Sequence, residues 1–117
     1  MRNLTLVFAF AALLLSGAAA FSHAQLDRAE PRVGSSVRTS PREVTLWFTE
    51  KLEPAFSSAT VRNAAGARVD AGKARASGNV MRVPLKSLPP GTYTVSWRVL
   101  SADTHTTQGE FSFTVGQ

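Results

Sequence analysis

Apolar and polar residues alternate with a period of two along much of the chain, and the pattern is cleanest near its end. In Thr92–Val99, Tyr93, Val95, Trp97 and Val99 fall on one face, and Thr92, Thr94, Ser96 and Arg98 on the other. Glu110–Val115 repeats the pattern with Phe111, Phe113 and Val115 facing inward. Alternation of this kind, bounded by turn residues, marks half-buried strands. Val44–Phe48 and Ala59–Arg62 read the same way, and Asn63–Gly66 is a turn from which Ala67–Val69 pairs back. Val80–Leu85 alternates too, with Pro84 implying an edge strand or a strand end. Leu88-Pro89-Pro90-Gly91 is a turn, and Glu50–Ser57 has room for one helical turn in a crossover. About seven short strands with regular turns predict an all-β domain, a Greek-key, immunoglobulin-like antiparallel β-sandwich. Trp47, Phe48, Trp97, Phe111 and Phe113 are expected to fill its core.

The first residues follow another rule. Met1-Arg2 gives a positive start, Leu4–Leu15 is an apolar run broken only by Thr5, and small residues follow. These are the parts of a secretory signal peptide, and the run falls short of the roughly 20 residues of a membrane span. Ala20-Phe21-Ser22 satisfies the small-x-small cleavage rule, as do Ala18-Ala19-Ala20 and Ser22-His23-Ala24. The expected division is a signal peptide over 1–22 and one exported, periplasmic domain over 23–117. Cutting after Ala24 instead would discard His23.

Composition narrows the chemistry. There is no cysteine, so thiolate metal sites are excluded and the domain rests on packing without disulfides. The net charge is +5, but no two basic residues are adjacent. Nucleic-acid surfaces cluster their charge among aromatics, so a solvated basic surface is the expectation here.

The chain has only two histidines. His23 stands where the mature chain is expected to begin, and His105 ends the step Asp103-Thr104-His105. An N-terminal histidine offers its α-amine and its ring. On extended backbone Asp103 and His105 leave the same face, so a carboxylate and an imidazole converge. A nitrogen-rich tetragonal set suits Cu(II), which also stands highest in the divalent affinity order. Calcium and magnesium want several oxygens, and structural zinc sites are closed tetrahedra, commonly with thiolates. Cu(I) prefers soft sulfur, and beyond the leader the only methionine is Met81, expected to be core filler. One Cu(II) held by His23, Asp103 and His105 is the reading the residues give.

His23-Ala24-Gln25-Leu26, Leu46-Trp47-Phe48-Thr49-Glu50, the run Gly91–His105 and the closing Gly109–Val115 together resemble the CopC-type copper resistance proteins. The resemblance covers essentially the whole expected mature chain. It implies a small monomeric periplasmic β-sandwich that binds copper for sequestration, resistance or delivery. It assigns the amine and ring of His23, with Asp103 and His105, as ligands, and Glu50 as a weak or outer ligand. It also implies a CopD-type inner-membrane copper transporter as partner, with the protein peripheral to the membrane at most. Two departures stand out. The stretch 62–79 holds no methionine or histidine, unlike relatives with a methionine-rich Cu(I) segment, which points to the Cu(II)-only variety. Thr104 and Thr106 stand where relatives frequently have glycine and proline.

Two other classes fit parts of the pattern. A metal-free immunoglobulin-like interaction module needs only the strands, and follows if His23 is lost with the leader. A copper monooxygenase shares the N-terminal histidine, but pairs it with a second histidine and no equatorial carboxylate, on a larger sandwich. No nucleophile motif accompanies either histidine, so the expected protein is not an enzyme.

Overall fold

The computed structural model describes residues 23–116, so the proposed leader lies outside the described residues. Eight strands build the domain: β1 (Leu26–Glu30), β2 (Ser36–Val37), β3 (Glu43–Phe48), β4 (Ser58–Arg62), β5 (Arg75–Ser77), β6 (Val80–Pro84), β7 (Gly91–Leu100) and β8 (Thr106–Val115). They form two four-stranded sheets, one in the order β1-β3-β6-β5 and the other β2-β8-β7-β4. The chain crosses from sheet to sheet at every connection except the β5–β6 and β7–β8 hairpins. A short 3-10 turn at Pro54–Phe56 lies in the crossover expected to hold one.

The alternation explains the core. Val44, Leu46 and Phe48 of β3, Met81 and Val83 of β6, and Tyr93, Val95, Val99, Phe113 and Val115 of the long hairpin are all buried between the sheets. Each contributes roughly 1.5–3 kcal/mol by leaving water. Met81 is fully buried, as a core filler should be. The hydroxyl of Tyr93 donates to the Pro89 carbonyl at 2.5 Å, so its polar end is satisfied where its ring is buried.

Two expectations need correction and two hold in narrower form. Trp47 is not a core residue: β3 buries 44, 46 and 48, which turns position 47 outward, and the Arg28 guanidinium stacks over its ring at 3.7 Å. Pro84 marks a strand end but not an edge, because β6 lies between β3 and β5. The sheets are not wholly antiparallel, since β2 pairs parallel with β8. Residues 67–69 do pair back on β4, through Asn63 N–H to the Ala67 carbonyl and Val69 N–H to the Val61 carbonyl, but only as an isolated bridge.

Candidate metal centre

The β7–β8 hairpin carries two of the three expected ligands in its connection. The register runs from Gly91 opposite Val115 to Leu100 opposite Thr106, and the five residues 101–105 close the turn. Ser101 N–H bonds the His105 carbonyl at 2.9 Å and Thr104 N–H bonds the Ser101 carbonyl at 2.8 Å. Closing so tightly requires Thr104 at a φ of 74°, the left-handed region. Asp103 and His105 thus approach by a reversal of the chain. The extended backbone expected from their spacing is absent. Their side chains still meet, with Asp103 Oδ1 3.4 Å from His105 Nδ1.

The N-terminal segment is brought to this turn by both sheets. β1 pairs with β3, and ahead of it Thr49 N–H bonds the Gln25 carbonyl at 2.9 Å. The Thr49 hydroxyl donates to the His23 carbonyl at 3.2 Å and accepts from Gln25 N–H at 2.9 Å. From the other sheet, the Thr107 hydroxyl donates to the Ala24 carbonyl at 2.6 Å. Ala24 is fully buried. Two threonines therefore clasp the segment, and His23 is carried against the hairpin turn.

There the two imidazoles meet edge to face, with ring centroids 4.5 Å apart and planes at 82°. Nδ1 of His23 is buried and has no hydrogen-bond partner. A buried polar atom without a partner is costly, and in a native site it calls for an explanation such as an ion. His23 touches His105, and His105 touches Asp103. Among the described residues, no group of three or more His, Asp or Glu side chains is gathered closely enough to hold a metal ion.

Glu50 sits in the strand-to-crossover segment running between the two halves of the site. Its neighbour Thr49 holds the His23 carbonyl, and the carbonyl of its other neighbour, Lys51, accepts from Ala102 N–H at 2.8 Å. The Glu50 side chain is half-buried. Leu52 next bridges to Ser101 and is buried.

The Ser101 hydroxyl, and after it the His105 ring, hold the Asp103 carboxyl below the usual carboxylate range against the opposing effect of desolvation. An ionised carboxylate is the form that binds a cation. Ser101, Thr49 and Thr107 were not expected from the sequence. Each is a hydroxyl residue adjoining or facing an expected ligand, a signal too common to select without the fold.

The family model of the CopC domain matches residues 26–116. Copper resistance protein C of Xanthomonas campestris pv. juglandis is 35% identical over 123 residues, covering 97% of this chain and 96% of that one. The copper transport protein CutJ of Bacillus subtilis is 33% identical over 101 residues, which are 83% of this chain but 19% of CutJ. Among solved structures, CopC from Methylosinus trichosporium OB3b superimposes with a TM-score of 0.75 at 33% identity, covering 80% of this chain and 93% of that one. The chain belongs to the CopC family. Its relatives include copper resistance and copper transport proteins, and the family is not one of enzymes.

Proposed function

We propose that the chain is a periplasmic copper carrier that binds one Cu(II) as cargo once its leader has been removed ahead of His23. The carrying observation is the buried, unpartnered Nδ1 of His23 lying in the same side-chain group as the His105 ring. In this reading His23 supplies its amine and Nδ1, His105 a second imidazole and Asp103 a carboxylate. Amine and Nδ1 of one residue chelate through a small ring, and the set is the nitrogen-rich tetragonal kind that Cu(II) prefers. Glu50, flanked by residues that hold both halves of the site, is a weak or outer ligand.

The role is sequestration or hand-over of copper without chemistry on it. Burial of Met81 supports a Cu(II)-only carrier, since it removes the one thioether of the described residues from the surface. Delivery to a CopD-type membrane transporter is supported by CutJ, in which the matching region is a small part of a much longer copper transport protein. Family membership weighs against a metal-free interaction module.

The test is a Cu(II) titration followed by electron paramagnetic resonance on protein exported and cleaved by its host. A matched sample with one extra residue ahead of His23 runs beside it. The expected result is a single tetragonal, nitrogen-rich signal that is lost in the extended sample, because an amide replaces the amine. Equal binding in both samples, or parent-like binding by His23→Ala, Asp103→Ala and His105→Ala, would remove the assignment.

A further inference from the structure

Ser101 hydrogen-bonds to both ends of the Asp103-Thr104-His105 step. It is 0% exposed, one of two buried polar residues among those described. Its Oγ lies within hydrogen-bond distance of Asp103 Oδ1, of the His105 carbonyl at 3.1 Å and of the His105 N–H at 3.3 Å. A hydroxyl has one proton and two lone pairs. The His105 carbonyl already receives the Ser101 N–H at 2.9 Å. The hydroxyl proton therefore goes to the ionised Asp103 Oδ1, a charge-assisted bond, and a lone pair accepts the His105 N–H. One buried atom ties the carboxylate of one ligand to the backbone of the other.

This geometry divides the labour of the carboxylate. Oδ1 is taken by Ser101 and faces His105 Nδ1 at 3.4 Å, long for a direct bond but on the side that favours a proton on Nδ1. A proton on Nδ1 leaves the lone pair of His105 Nε2 available to a metal, beside that of Asp103 Oδ2. Outer-shell partners of this kind fix the tautomer and orientation of metal-binding side chains.

Resting on the copper site proposed above, we propose that Ser101 is its positioning residue: its hydroxyl holds Asp103 Oδ1 and the His105 backbone so that Asp103 Oδ2 and His105 Nε2 face the copper. The bridge to Leu52, closed by Ala102 N–H to the Lys51 carbonyl and Glu53 N–H to the Leu100 carbonyl, keeps the Ser101 backbone in place, and its bonds to Asp103 and His105 satisfy the hydroxyl at full burial. The hydroxyl does not itself meet the metal.

A double-mutant cycle on the exported, cleaved protein tests the idea with Cu(II) alone as the probe. Ser101→Ala should weaken Cu(II) by roughly tenfold or more, the usual effect of losing an outer-shell partner. Its paramagnetic resonance spectrum should move toward that of Asp103→Ala, and Ser101→Thr, which keeps the hydroxyl, should restore the parent spectrum. In the Asp103→Ala background, Ser101→Ala should cost clearly less than in the parent, since only its hold on the His105 backbone remains to be lost. Undiminished affinity with a parent spectrum in Ser101→Ala, or an equal loss in both backgrounds, would overturn the proposal while leaving the copper site standing. Parent-like binding by Asp103→Ala and His105→Ala would overturn both. A measurement on the unmutated protein covers a variant that fails to fold. Imidazole 15N spectra of the copper-free chain should show the His105 proton on Nδ1, and a proton on Nε2 would contradict the assignment.

Discussion

Thr107 donates its hydroxyl to the carbonyl of Ala24 at 2.6 Å, joining the start of the last strand to the segment ahead of the first. Ala24 is fully buried and Thr107 half-buried, so this bond lies at a partly covered seam between the sheets. Thr107→Val keeps the shape and removes the donor. The unpaired carbonyl should cost about 1–3 kcal/mol, read by denaturant unfolding. Copper affinity should fall by a few fold as His23 gains freedom, a modest effect beside the loss expected for His23→Ala. A competition titration separates the two.

Thr104 holds a left-handed φ of 74° with a β-branched side chain. Such a backbone costs an L-residue roughly 1–2 kcal/mol, and glycine escapes it. Thr104→Gly should therefore raise stability by about 1 kcal/mol, with a matching rise in melting temperature. The Thr104 hydroxyl touches only the Asp103 carbonyl, so the copper spectrum should keep its parent form.

Trp97 lies flat against Gly109 across the β7–β8 hairpin. A Cβ at position 109 would meet the indole Cζ2 at 2.7 Å. Gly109→Ala should force the ring out and cost about 1–3 kcal/mol, as overpacking does. Trp97 also packs edge to face on Phe48 at 5.2 Å, and Phe48 precedes Thr49 of the clasp. Near-ultraviolet circular dichroism should report the displaced indole.

Asp70 caps the rim of β4. One carboxylate oxygen accepts the Val61 N–H at 3.0 Å, and Arg68 makes a two-pronged bond to the group. Burial pushes the Asp70 carboxyl up, but the bonds from Arg68 and Val61 outweigh it and the net effect is a lowering. Asp70→Ala should cost about 2 kcal/mol, most of it from the stranded Val61 N–H.

The lowered carboxyls of Asp70 and Asp103 set the sign of the acid response. A group that ionises more readily when folded contributes stability above its unfolded value, about 3.9 for Asp, and that contribution fades as pH falls through the folded value. Stability of the copper-free protein from these two groups should hold down to about pH 4 and decline below it. Copper should leave earlier on acidification, because protons compete with a metal for its ligands. A pH series of unfolding curves beside one of copper retention checks the order.

How legible this was depended on how much each segment buries. β7 and β8 each present an unbroken alternation to the core, so they announced themselves; the structure lengthens them to Gly91–Leu100 and Thr106–Val115. β1 reads as Leu26-Asp27-Arg28-Ala29-Glu30, with a register irregularity between Leu26 and Arg28 and only Ala29 buried. A bulged strand with one buried residue leaves no periodic trace. β2 is two residues long and β5 three, too short for any pattern. Trp47 was misplaced because its size suggested burial, while the alternation of its own strand turned it outward. At the site, the juxtaposition of His23 with His105 follows the sequence reading, although the reason given for Asp103 and His105 converging did not survive. Extended spacing would put two side chains on one face, whereas here the reversal at Thr104 does it. No local pattern encodes a left-handed threonine.

The clasp on Ala24 has a further consequence for a chain that begins at His23. A ligand set that includes the terminal amine can be erased by removing a single residue, which makes exopeptidases its natural hazard. Such enzymes must draw the end of a chain outward as an extended strand. Ala24 is fully buried, and Thr49 and Thr107 bind the carbonyls of His23 and Ala24. In the copper site proposed above, the anchoring that presents His23 should also slow trimming of a mature terminus, so that the domain would guard the end on which its metal binding would depend.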